Sequence, residues 1–201
     1  KALSTMRRKL PTLVLVEREG AALKAPQITI DNEAAALRAT RYLLEHGHTK
    51  IAHISGPRRA GDERESGWRK ALEEFGLPPG AVIDGGFTEP GGYQAARVLA
   101  AQGGFSAVFI ASDRMALGAY KAFREAGLSV GDDVSVVGFD DLEFAAYLDP
   151  PLTTLRQPAQ QLGQAAAQAV LAALRGGSPQ NVVLSCELIP RASVKEFGGG
   201  S

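Results

Sequence analysis

The sequence predicts an α/β protein built on mainly parallel sheets, and three observations carry that prediction. Strand-like and helix-like signals alternate along the chain, as a parallel sheet requires, because each strand needs a covering crossover to reach the next. The run Val134-Ser135-Val136-Val137-Gly138-Phe139 is short, apolar and β-branched, reads as a buried strand, and stops on two acids, Asp140 and Asp141. Beyond them Asp149-Pro150-Pro151 forbids a helix and holds the chain extended, leading into a second short strand, Thr153-Thr154-Leu155-Arg156-Gln157. Ligands of open α/β sheets lie outside the carboxyl ends of the strands. A buried strand, an acidic tip, a stiff crossover and a polar strand therefore describe a cleft edge between two lobes.

The other elements follow in order. Residues 1–9 read as the last turns of a helix stopped before Pro11. Residues 12–16 and 27–30 are strands, and Asp31 can cap a helix over 33–46 that Gly47 ends. A strand over 50–55 and the turn Gly56-Pro57 lead to an amphipathic helix over 62–75, carrying Arg64 and Trp68 and closed by Gly76. A strand over 82–85 precedes a helix over 91–101, and a strand over 107–111 ends on Ser112-Asp113 before a helix over 115–126. An Ala- and Gln-rich helix over 159–175 and a strand over 182–188 close the pattern.

Lys+Arg and Asp+Glu are both 22, a formal net charge of +0. That balance argues against a large nucleic-acid footprint, which leans on clustered Lys and Arg. One cysteine, Cys186, excludes an internal disulfide and fits a reducing, cytoplasmic compartment. No apolar run is long enough to span a bilayer, so no membrane partner is expected. No secretory signal peptide is legible, and Gly198-Gly199-Gly200-Ser201 reads as an engineered flexible linker.

Several motifs in fixed order carry a resemblance. They include Ile30-Asp31-Asn32, Leu44-Glu45-His46-Gly47-His48, Ile51-Ala52-His53-Ile54-Ser55-Gly56-Pro57, Arg64-Glu65-Ser66-Gly67-Trp68 and Ser112-Asp113-Arg114-Met115-Ala116-Leu117-Gly118. Val136-Val137-Gly138-Phe139-Asp140-Asp141, Pro151-Leu152-Thr153-Thr154-Leu155-Arg156-Gln157-Pro158 and Ile189-Pro190-Arg191-Ala192-Ser193-Val194 complete the set. Over residues 11–194 the chain resembles the effector-binding core of the LacI/GalR family of bacterial transcription repressors. The resemblance implies a two-lobed, periplasmic-binding-protein-like fold with parallel sheets and three crossover segments, and a small molecule in the cleft. The N-terminal lobe is expected to be incomplete, with residues 1–47 and 154–177 in it. Residues 48–153 and 178–194 form the C-terminal lobe, and 195–201 the tail. Against the family pattern the DNA-reading head is missing. The expected partners are a sugar or sugar-like effector, DNA only in the full-length parent, and a second copy or a complementing segment over the open sheet.

The resemblance also places candidate ligand-binding residues. Arg64 offers a planar fork suited to a hydroxyl pair or carboxylate. Asp140, at a strand end, can accept two hydroxyl hydrogen bonds, while Asp141 reads as turn or hinge support. Phe87 either stacks on the apolar face of a sugar or base, or packs within its lobe. Ser112 stands where relatives often carry a larger polar side chain, and Asp113 beside it reads as a helix N-cap. Asp31 is divided between cap and cleft, and Gln157 between donating into the cleft and bridging backbone. Trp68 reads as a core anchor.

Catalytic and metal signals are poor. There is no G-x-G-x-x-G, Walker or G-x-S-x-G sequence. His46, His48 and His53 lie close together but lack zinc-site spacing, so neither metal nor cofactor is expected. The rival functions are a solute-binding protein of a sugar transport system and an engineered scaffold or assembly module. An enzyme comes last.

Overall fold

The computed structural model describes residues 12–17 and 25–198. Its strands are β1 (Leu15–Val16), β2 (Gln27–Ile30), β3 (Ile51–Ser55), β4 (Val82–Asp84), β5 (Ala107–Ile110), β6 (Ser135–Val137), β7 (Thr154–Arg156), β8 (Val182–Leu184) and β9 (Glu187–Ile189). The helices are α1 (Asn32–Glu45), α2 (Arg58–Glu74), α3 (Glu89–Gln102), α4 (Asp113–Glu125) and α5 (Ala159–Leu174). The helix expected over residues 1–9 lies outside the described residues.

The chain forms two compact units, Lys1–Asp31 with Gln157–Cys186, and Asn32–Arg156 with Glu187–Ser201. In the smaller unit β1, β2 and β8 make a parallel sheet, and α5 packs on all three strands. In this sheet, part of the lobe expected to be incomplete, β1 pairs with β2 and β2 with β8. In the larger unit the parallel order is β4-β3-β5-β6. Its interior strands are buried along their whole length, as in a sheet covered on both faces.

The division differs from the expected lobes. Helix α1, which the lobe boundaries placed with residues 1–47, packs on α2 and touches β5, β6, β7 and β9, so the chain changes unit at Asp31. Glycine makes the α1–α2 approach close: a Cβ on Gly67 would stand 2.2 Å from the Glu33 carbonyl oxygen. The α3–α4 pair is built the same way, with Gly118 against Glu89 and Gly92 against Met115. The second change of unit falls after Arg156, at the end of β7 and beyond the prolines. The third falls after Cys186 and splits the single strand expected over 182–188. Its first part, β8, joins β2, whereas β9 runs antiparallel to β7. Helix α2 begins at Arg58, four residues before the expected start. A 3₁₀ turn over Glu143–Tyr147, absent from the sequence reading, precedes the prolines.

Candidate functional site

Four parallel strands of the larger unit end on functional residues. Strand β3 leads through Gly56 into α2 and Arg64, β4 leads to Phe87, β5 to Ser112-Asp113, and β6 to Phe139-Asp140-Asp141. The carboxyl end of the sheet gathers them, as the α/β rule requires.

Arg64 is 5% exposed, and burial of a guanidinium demands partners. Its Nε donates to Asn32 Oδ1 at 2.9 Å, and Asn32 Nδ2 donates to Glu63 Oε2 at 3.0 Å. A second nitrogen donates to the Ala111 carbonyl at 2.5 Å. The guanidinium carbon stands 3.5 Å from the centroid of the fully buried Phe139 ring and 5.7 Å from that of Phe87. The cation therefore lies on one aromatic face with a second ring nearby, an attraction that strengthens when water is excluded. Asp140 Oδ1 is 4.0 Å from Arg64 NH1, at the outer limit of an ion pair. Phe87 has φ 56 and is half-buried, and its ring covers Gly56, where a Cβ would stand 2.4 Å from it. The ring can sit there because residue 56 has no side chain.

The acidic turn is strained. Asp140 has φ 122 and Asp141 has φ 56, conformations that persist only where the surroundings over-determine them. Asp140 N donates to the Leu155 carbonyl at 2.8 Å. Asp141 accepts from Arg156 Nε and from Arg191 NH2, both at 2.6 Å. Burial pushes its carboxyl up, but those two arginines outweigh it and hold it below the usual carboxylate range. Asp141 thus ties β7 and the segment after β9 to the turn, the support expected of it, and leaves Asp140 facing Arg64.

Ser112 takes the capping role expected of Asp113. The Ser112 hydroxyl caps α4 by accepting from Met115 N at 3.3 Å, while Asp113 is the first helical residue. The Asp113 carboxylate instead accepts from Thr154 Oγ1 at 2.7 Å and from Leu142 N at 2.9 Å. A serine fits the cap because its short hydroxyl reaches the N3 amide. Trp68 is fully buried, as an anchor should be. Asp31 is exposed, its amide donating to the Leu184 carbonyl, and Gln157 is half-buried, its carbonyl accepting from Ala159 N. Both belong to the smaller unit, so the residues brought together are Arg64, Asp140 and Phe87.

Asn32 and Phe139 were missed as site residues. Both lie within motifs read from the sequence, and the available signal was the need of a buried arginine for an acceptor and a covering face. Among the described residues no group of three or more His, Cys, Asp or Glu could hold a metal ion. Among the described residues no helix is long and apolar enough to cross a membrane.

The sequence pattern of the periplasmic binding protein-like domain matches residues 40–194. The HTH-type transcriptional repressor CytR of Escherichia coli K12 is 36% identical over 94% of this chain and 57% of its own length. The chain thus spans a little over half of that curated relative. The structure of a LacI transcriptional regulator from a Rhodococcus species is 30% identical, covering 96% of this chain and 73% of that one, with a TM-score of 0.89. A LacI family regulator from Enterococcus faecium with bound ribose is 25% identical, covering 92% and 71%, with a TM-score of 0.86.

Proposed function

Because this chain belongs to the LacI family of transcriptional regulators and carries its periplasmic binding protein-like, effector-binding domain, we propose that it senses a sugar or sugar-like metabolite in the cytoplasm. The observation that carries the reading is Arg64, buried on Phe139 with Asp140 4.0 Å away at the carboxyl end of the sheet. Polyhydroxyl ligands need donors and acceptors side by side, together with an apolar face. Arg64 donates, Asp140 accepts, and Phe87 supplies the face. The Ser112 hydroxyl contributes a smaller hydrogen bond. A part for Gln157 and Asp31 rests on the family resemblance alone.

The work is binding rather than catalysis, as in the regulators it resembles. In the whole regulator, effector and DNA affinities are coupled, and that coupling is reciprocal. These 201 residues carry balanced charge and are not expected to read duplex DNA themselves. Self-association is proposed from the exposed apolar side chains of the smaller unit, and sedimentation equilibrium over a range of concentrations tests it.

Calorimetry with ribose and a panel of sugars and nucleosides tests the site. Arg64→Ala and Asp140→Ala should each weaken binding by about 2–5 kcal/mol, because each leaves a desolvated charge without its partner. Ser112→Ala should cost about 0.5–1.5 kcal/mol. Unchanged affinity in both charge variants would remove the site.

A further inference from the structure

Asp113 lies outside the proposed ligand contacts, yet it joins more of the acidic turn than any of them. It is fully buried at the start of α4, and its own amide donates to the Phe139 carbonyl at 2.7 Å. One carboxylate oxygen takes the Leu142 amide, just after the acid pair, and the other takes the Thr154 hydroxyl on β7. The cavity fits the carboxyl closely, since a Cβ on Gly138 would stand 2.3 Å from Asp113 Oδ1. Among the described residues it has no ion-pair partner.

The charged groups around it are two acids and the cations that serve them. Asp140 faces Arg64 on α2, and Asp141 is held by Arg156 on β7 and Arg191 after β9. Tyr120 lies two turns along α4 and donates to the Pro150 carbonyl. All the cations are thus committed to the neighbouring acids. Burial pushes the Asp113 carboxyl up to about 7, the Thr154 and Leu142 hydrogen bonds oppose that, and the charges of Asp140 and Asp141 add to it.

The two protonation states need different hydrogen bonds. A carboxylate accepts from both partners. A protonated carboxyl must also donate, and of its two partners only the Thr154 hydroxyl can accept, because the Leu142 amide is a donor alone. We propose that Asp113 is a proton-operated latch between the turn that presents Asp140 and strand β7. With the carboxylate charged, Thr154 gives its hydroxyl hydrogen to Asp113. With it neutral, Asp113 donates its own hydrogen to Thr154 Oγ1, and the Thr154 hydroxyl hydrogen turns away from it. The latch bears on effector binding only if the Arg64–Asp140 reading holds. In that case a neutral ligand, by removing water from the turn, favours the protonated form.

The test is made on the 201-residue chain without ligand. The amide resonances of Leu142 and Asp140 are followed by NMR from about pH 5 to 9. A sigmoid change with its midpoint near 7 is expected in the wild type. Asp113→Asn should abolish it, because the amide keeps an acceptor for Leu142 and a fixed donor for Thr154. Thr154→Val should move the midpoint, since it removes the hydroxyl that donates to the charged form and accepts from the neutral one. It also serves as an independent variant should Asp113→Asn not fold. No inflection in the wild type, or one that persists in Asp113→Asn or is unmoved in Thr154→Val, overturns the latch. A failed effector titration with Arg64→Ala as control counts against the binding site instead, so the two failures separate.

Discussion

The two compact units use the same grammar of parallel strands and covering helices, but they bury their apolar residues very differently. In the larger unit Ile54, Val108, Ile110 and Val136 are all 0% exposed, within a continuous core that reaches α3 and α4. In the smaller unit the described strands have two, four and three residues. There Leu171, Leu174 and Val183 stand 51%, 61% and 62% exposed. Burial of apolar area is worth about 25 cal/mol per Å², so similar residues stabilise one unit and leave the other thinly held. Local pattern decides which elements form, and the number of neighbouring layers decides what those elements contribute.

The largest expected break in that comparison is Phe123→Ala. The ring is fully buried against the larger unit's core, so truncation should cost about 3–5 kcal/mol. Urea denaturation should show the loss in the midpoint of the main transition.

How far the sequence was legible follows the same contrast. The larger unit's strands were readable because burial on both faces makes them apolar runs, and its helices because glycine punctuates them. The split between β8 and β9 was not readable. Residues 182–188 continue an extended pattern across Ser185-Cys186, and only tertiary pairing sends the two halves to different sheets. Helix α1 was assigned to the wrong unit because an amphipathic face does not say which sheet it meets. At the site, Arg64, Asp140 and Phe87 came from the resemblance and are brought together. Asp113 was misread because Ser and Asp are both good caps. What separates them here is a contact with Thr154, 41 residues away in sequence.

His53 supplies a pH-dependent way to sharpen the comparison, since it stands on β3 in the well-buried sheet. It is fully buried, with Nδ1 donating to the Phe109 carbonyl at 2.8 Å. Burial lowers its imidazole from 6.5 to about 4, against that hydrogen bond. The unfolded chain therefore binds a proton in this window that the native state refuses. Stability should be full above about 6.5 and fall as pH drops toward 4, by roughly 3 kcal/mol from this group. His53→Gln should flatten that slope in pH-dependent denaturation. A slope unchanged in the variant would assign the acid loss to other groups.

Leu162→Ala asks the same question of the smaller unit. Leu162 is 6% exposed on α5, one of the few buried apolar side chains among the described residues of this unit. The site can relax toward solvent, so the loss should lie near the lower end for buried leucine, about 2 kcal/mol. Hydrogen exchange should show it as faster opening of β2 and β8, with β3 and β5 unaffected. Faster exchange across β3 and β5 as well would mean that the two units unfold together.

The smallest effect is expected from Leu174→Gln, and it is the sharpest test of what the exposure means. Leu174 ends α5 and is 61% exposed, so little of its area is removed from water on folding. Leucine and glutamine have nearly equal helix propensity, which leaves no backbone term to confuse the result. Stability should therefore change by less than about 0.5 kcal/mol, as for other surface positions. The same substitution at a buried leucine would leave an amide without partners and cost several-fold more. If Leu174→Gln proves as damaging as Leu162→Ala, and the damage grows with protein concentration, this face of α5 is covered in solution. The contrast between the units would then belong to the isolated chain and not to its assembled form.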